Sequence, residues 1–279
     1  MNAAMLLTVT EEAKQQGLGE YIVHELQDSN KWNILGYNLH LPTFKPISIL
    51  GIEFDLSITL HVVMMWIAAI FLVTLFALVY RKKQLIPRGL ANVLESITLF
   101  IRDEIAIPNL GPKQGKQLTP FLSTMFFFIL TSGLMGIIPL FSVFTGSLSV
   151  TASLAIVTFV ATQVFGMIEN GIIGYWRNLV PQGVPKYLYP IMVPIEIIGL
   201  FTKPFALAMR LFANMIAGHA VIFALLGLII ALGSVLISPF SVGMAVFIYL
   251  LEILIVFIQA YIFTMLSALF IGMAVHPEH

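Results

Sequence analysis

Residues 56 to 80, LSITLHVVMMWIAAIFLVTLFALVY, run for 25 positions without a formal charge when His61 is neutral. About 20 apolar residues suffice to cross the hydrocarbon of a bilayer as helix, and a helix satisfies its own backbone polar groups there without help from a second segment. A chain with such a run is a membrane protein before any motif is read. Composition agrees, with 59% hydrophobic and 10% charged residues against about one quarter charged in soluble domains.

Arg81, Lys82 and Lys83 follow the run at once, while Glu53 and Asp55 precede it. Basic residues stay on the cytoplasmic side, so the amino terminus is expected outside. The opening MNAAMLLTVTEEAKQQ lacks the basic start, apolar core and small-residue cleavage pattern of a signal peptide. Its export then falls to the first membrane helix. Residues 1–50 are the most polar part of the chain and read as an extramembrane tail with one short helix, ending in the turn-like LPTFKP. Residues 51–279 form the transmembrane domain.

Three shorter blocks follow. Between Gly89 and Ile107, apolar Leu90, Val93, Leu94, Ile97, Phe100 and Ile101 recur at helical spacing beside Glu95, Arg102, Asp103 and Glu104, which suits either a helix along the cytoplasmic interface or a soluble linker helix. Residues 119–141 and 149–168 are the second and third spans, joined by the short GSLS and carrying small residues, among them Ser132, Gly133, Gly136 and Ala155, that let helices approach closely in lipid. The Gly- and Pro-rich loop after them carries Arg177 and Lys186, again fitting the cytoplasmic side.

Residues 189–230 and 240–274 complete the chain. The first would be about 60 Å long as continuous helix, twice the roughly 30 Å hydrocarbon thickness, so it must tilt or bend, with Pro190, Pro194 and Pro204 available to bend it. The expected architecture is an all-α polytopic membrane protein with five transmembrane helices, an interfacial amphipathic helix and a long tilted C-terminal helical hairpin. The carboxyl-terminal HPEH is expected in the cytoplasm.

Several functions are excluded or unsupported. Fourteen Lys plus Arg balance fourteen Asp plus Glu, giving no basic excess for a nucleic-acid partner. There are no cysteines, so thiolate metal sites, thiol nucleophiles and disulfides are impossible. No phosphate-binding glycine loop, dinucleotide fingerprint or HExxH occurs. Neither a cofactor nor a metal is expected.

The chemistry lies in sparse polar residues inside the last two spans. Arg210 cannot escape burial by losing its proton, so at mid-span it needs water or an anion and points to a functional site, the alternative being a structural arginine satisfied by carbonyls or a carboxylate within this chain. Asn214, four residues on, shares its helix face, whereas His219, nine on, points to the opposite face. On the last helix Glu252 and Gln259 are seven apart and share a face. Folding the two helices as a hairpin about residues 234–236 brings Arg210 level with Gln259 and His219 level with Glu252. A Glu beside a His can pass a proton near neutral pH; the pair can equally be a buried stabilising contact. Glu196 is a further acid near the cytoplasmic end, as part of an ion path or as an interfacial anchor.

MRLFANMIAGH, together with PQGVPKYLYPIMVPIEIIGLF, LMGIIPLFSVFTGSLSVTASLA and LLEILIVFIQAYIFTMLSALFIGMA, resembles subunit a of the F-type ATP synthase over roughly residues 56–275. That resemblance implies a stator channel subunit beside a ring of c subunits, with the b subunits of the peripheral stalk and the rest of the synthase as partners, membrane lipid around it and no nucleic acid. It implies that Arg210 faces the c-ring carboxylates as the essential charge barrier. Asn214, His219, Glu252 and Gln259 would line or stabilise the periplasmic half-channel, and Glu196 would lie near the cytoplasmic one. ATP chemistry would belong to the soluble head, leaving this chain non-catalytic, in a bacterial inner membrane. Lys203 and Ser147 depart from the residues usual in the family. Two other readings are a secondary transporter or antiporter with Arg210 binding an anionic solute, and a non-catalytic scaffold or assembly protein whose polar residues satisfy one another.

Overall fold

The computed structural model describes residues 31–34, 37–42, 47–49, 52–54, 57–81, 88–138, 144–177, 186–232 and 238–276. The expected turn at 234–236, the last residues of HPEH and any helix before Lys31 lie outside them.

The tail region differs from expectation. Two antiparallel hairpins occupy it, β1 (Lys31–Ile34) with β2 (Tyr37–His40), and β3 (Ile47–Ile49) with β4 (Ile52–Phe54). Their registers close on Ile34↔Tyr37 and Ile49↔Ile52, which leaves two-residue links. Strands of three or four residues expose too little apolar face to signal themselves by alternation.

Among the described residues after them, the regular structure is helical. α1 is Leu60–Val79, α2 is Leu90–Phe100, and a π-helical segment, Ile101–Ala106, leads directly into α3, Ile107–Ile137. α4 is Leu148–Asn170, the short α5 is Ile172–Arg177, α6 is Tyr189–Leu232 and α7 is Ser238–Val275. Five helical runs are long and apolar enough to cross a membrane, so the chain is an all-α polytopic membrane protein with two small hairpins ahead of its first span. The helix expected over residues 89–107 begins at Leu90 and runs through the π-helical segment to Leu110; Gly111, with a φ of 80° and a ψ of 167°, separates it from the apolar helix that continues to Ile137. Glycine tolerates that conformation without steric cost.

Two physical conditions hold these helices in lipid. Four buried hydroxyls are satisfied within their own helices: Thr119, Thr162, Thr264 and Ser267 donate to the carbonyls of Gly115, Thr158, Ala260 and Phe263 at 2.7–2.9 Å, each four residues back. The helices' outer faces are apolar, as on α1, where Trp66, Ile70, Phe71 and Val73 are all more than half exposed. Such exposure costs nothing against acyl chains.

The described residues divide between two compact units: one within Met1–Ile70, Thr131–Ser147 and Phe212–Val256, the other within Phe71–Leu130, Leu148–Leu211 and Phe257–His279. In the first, Gly133 lets α3 and α7 meet, since a methyl there would lie 2.6 Å from a Val256 methyl. In the second, the Asn170 amide donates to the carbonyls of Ala274 and Val275 at 3.0 and 3.1 Å. Those carbonyls end α7 and have no intrahelical donor, so α4 caps α7.

Candidate functional site

In the first unit, His219 of α6 and Glu252 of α7 are buried together, with 7% and 2% exposure. The imidazole Nδ1 stands 2.6 Å from Glu252 Oε1. It also lies 3.1 Å from the Met215 carbonyl, and Nε2 lies 3.1 Å from the Gly136 carbonyl. Gly136 is in the last turn of α3, where carbonyls lack helical donors, so its oxygen is free to accept from the ring.

This arrangement has a chemical consequence. A neutral imidazole has one N–H and can serve only one of two carbonyls, whereas an imidazolium serves both. All three groups around the ring are oxygens, so the site suits the ring that carries the extra proton, with the carboxylate as its counter-charge. Neither Glu252 oxygen has a well-aligned hydrogen-bond donor among the described residues. Gly218 makes the room: a methyl there would sit 2.8 Å from Glu252 Oε1.

In the second unit, Arg210 on α6 is exposed and, among the described residues, makes no hydrogen bond or ion pair. Gln259 on α7 is buried, with 3% exposure, and no hydrogen bond joins it to Arg210. Asn214 is exposed. Helix spacing anticipated a height for each of these residues but could not say which would be covered within one chain.

Glu196 is half-buried and lines a cavity of about 100 Å³ in the same unit. Lys203, two turns further along α6, lines it too, with its ammonium 5.9 Å from the centre of the Phe270 ring. Thr158, Thr162 and Gln163 of α4 and Tyr175 of α5 supply the remaining polar wall. Sequence reasoning found Glu196 and missed these four. The available signal was the Thr-x-x-x-Thr-Gln stripe in an otherwise apolar helix. Among the described residues, no cluster of three His, Asp or Glu side chains could hold a metal ion.

The described geometry can be set beside known proteins. Residues 62–272 match the family model described as ATP synthase A chain. The chain is similar to an ATP synthase subunit a from Myxococcus xanthus (strain DK1622), 55% identical over 81% of this chain and 75% of that protein. It is also similar to one from Chloroherpeton thalassium (strain ATCC 35110 / GB-78), 49% identical over 92% of this chain and 77% of that one. A third, from Anaeromyxobacter dehalogenans (strain 2CP-C), is 52% identical over 79% of this chain, and the match spans 58% of that relative's length. By these matches over most of its length, the chain that carries the buried His–Glu pair, the cavity beside Glu196 and five apolar helices belongs to the ATP synthase A chain family.

Proposed function

We propose that this chain forms the ion route and stator surface of an F-type ATP synthase, through two offset half-channels that carry protons to and from carboxylates on a ring of c subunits. The c ring, the b subunits of the peripheral stalk and the remaining synthase subunits are then its partners. Residues 51–279 carry the route and residues 1–50 stay outside the bilayer. In this reading the amino terminus is periplasmic and the carboxyl terminus cytoplasmic, in a bacterial inner membrane. As a member of its family the chain is a non-catalytic component.

The observation that carries the reading is Arg210. A guanidinium within a membrane span stays charged and is costly without water or an anion, yet among the described residues none of this chain's groups neutralises it. An anion supplied by a neighbouring chain would complete it. A c-ring carboxylate arriving there would lose its proton beside the fixed cation, and the same cation would bar protons from passing directly between half-channels. His219 and Glu252 suit one half-channel because they can hold and release a proton away from lipid. The Glu196 cavity suits the other, since the basic Arg177 and Lys186 put that end of the chain in the cytoplasm.

Moving one charge across the membrane is worth about 2.3 kcal/mol per 100 mV, so several ions must pass for each ATP. The deciding experiment uses membrane vesicles carrying the whole complex with Arg210→Ala. An assembled complex that no longer pumps protons on ATP addition is expected. Retained coupled pumping would overturn the assignment, and lost assembly with normal flux in what remains would favour a scaffold.

A further inference from the structure

The Glu196 cavity has a wall that the family-level reading of Glu196 does not explain. α4 turns three polar side chains, Thr158, Thr162 and Gln163, toward it. The two hydroxyls are already engaged: Thr162 donates to the Thr158 carbonyl at 2.9 Å, and the Thr158 hydroxyl lies 3.2 Å from that of Ser267 on α7. Gln163 is different. Its Nε2 is buried and has no well-aligned hydrogen-bond partner among the described residues. A buried amide donor in that condition is costly unless water in the adjoining space serves it, and about 100 Å³ holds several waters.

Tyr175 closes the same wall. It is buried, with 5% exposure, and its ring packs on α4, where a methyl at Gly166 would lie 2.7 Å from Cε2. Gly171, at φ 71°, ends α4 and starts α5, and the Tyr175 N–H donates to the Gly171 carbonyl at 2.9 Å, which fixes the tyrosine in place. Burial raises the pKa of its hydroxyl, and the nearby Gln163 amide opposes that rise without a well-aligned hydrogen bond. The phenol therefore stays protonated at neutral pH and can donate and accept like a water molecule.

We propose that Gln163 and Tyr175 are positioning residues for proton transfer in this half-channel, holding an ordered file of water between the cavity mouth and Glu196. The proposal rests on Glu196 belonging to the ion route. The amide N–H groups donate to a water oxygen, which orients that water's own hydrogens toward the next acceptor. Each water then takes one proton and passes one on, with no net change at Gln163. Lys203, on the same cavity, keeps excess positive charge from lingering there by repulsion.

The test measures passive proton conductance, from pH 6 to 9, in vesicles carrying the complex after removal of its soluble head. Gln163→Leu in fully assembled complexes is expected to lower conductance about tenfold to a hundredfold, the scale on which misplaced reacting groups act, whereas Gln163→Asn, which keeps the amide donor on a stem one methylene shorter, retains a larger part of it. Tyr175→Phe is expected to lower it less and to leave the pH profile's shape unchanged. Wild-type conductance with Gln163→Leu would overturn the proposal. If that variant fails to assemble, Gln163→Met keeps the side chain's shape and serves instead. The chain has no cysteine, so a single Gln163→Cys can also be probed with a water-soluble thiol reagent, where labelling supports water at the site and its absence refutes it. Glu196→Gln runs in parallel. If it conducts normally, the cavity lies off the route and the half-channel assignment fails as well; if it conducts poorly while Gln163→Leu conducts normally, only the present proposal fails.

Discussion

Gly218 and Glu252 approach so closely that a methyl group on the glycine would lie 2.8 Å from the carboxylate oxygen Oε1 and 3.2 Å from Cδ. The carboxylate itself is 2.6 Å from His219 Nδ1. Gly218→Ala must therefore push the end of Glu252 away from the imidazole while leaving the helix backbone free to stay where it is. Proton flux through assembled complexes is expected to fall severalfold with little change in thermal stability. Adding Glu252→Asp, one methylene shorter, should recover part of the flux. A Gly218→Ala complex with wild-type flux would show that the close pair is not on the path.

Packing alone decides a second case. A methyl at Gly133 would meet both Val256 methyls, at 2.6 and 2.7 Å, and overpacking of this kind costs about 1–3 kcal/mol. Gly133→Ala should lower the unfolding temperature in detergent, and Gly133→Ala with Val256→Ala should restore most of it. Failure of the double change to rescue would mean that the contact between α3 and α7 is not what limits stability.

The contrast between two glycines of α7 gives a third. A methyl at Gly272 would run into the backbone carbonyl oxygen of Asn109, whereas one at Gly243 meets nothing within 4 Å. Backbone cannot rotate aside as a side chain can. Gly272→Ala is expected to cut the yield of assembled protein sharply, while Gly243→Ala is expected to be neutral or slightly stabilising, since alanine is favoured over glycine in helix by about 0.8–1.0 kcal/mol. Equal yields of the two variants would contradict this.

The sequence made the spans and the His219–Glu252 pairing legible for the same reason. Charge-free runs of 20 or more residues have one stable form in lipid, and two helices rising equally from a shared turn put residues equidistant from it at one height. Other features were not legible. The hairpins at Lys31–His40 and Ile47–Phe54 announce themselves only by the Leu-Gly pair that links the strands of each. The wall of Thr158, Thr162, Gln163 and Tyr175 was hidden because hydroxyls in membrane helices usually bond their own backbone, and nothing in one helix's sequence tells which neighbour leaves a space beside it.

Asn170 tests how the end of α7 is held. Its amide serves the carbonyls of Ala274 and Val275, and the His276 ring Nε2 lies 3.1 Å from the Leu110 carbonyl beside the Gly111 kink. Asn170→Ala removes one capping donor and leaves two helix-end carbonyls to water or lipid, at about 1–3 kcal/mol. Amide hydrogen exchange should rise over the last turn of α7 and not at Ala260 or Phe263. Unchanged exchange at the end of α7 would show that Asn170 does not limit its opening.

Alkaline stability isolates the buried phenol of Tyr175. Burial raises its pKa above the ordinary 10.0 in the folded chain, with Gln163 opposing, so the unfolded chain ionises first as pH rises. Below about pH 10 the phenol is neutral in both states and contributes no pH dependence; above it the unfolded state loses a proton that the folded state retains, and folding stability falls. Tyr175→Phe should make the loss of thermal stability between pH 9.5 and 11 shallower, without changing stability at pH 7 by more than the lost hydroxyl costs. Thermal melts of the two proteins across that range decide it, and superimposable pH slopes would mean that the Tyr175 site opens to water before the chain unfolds.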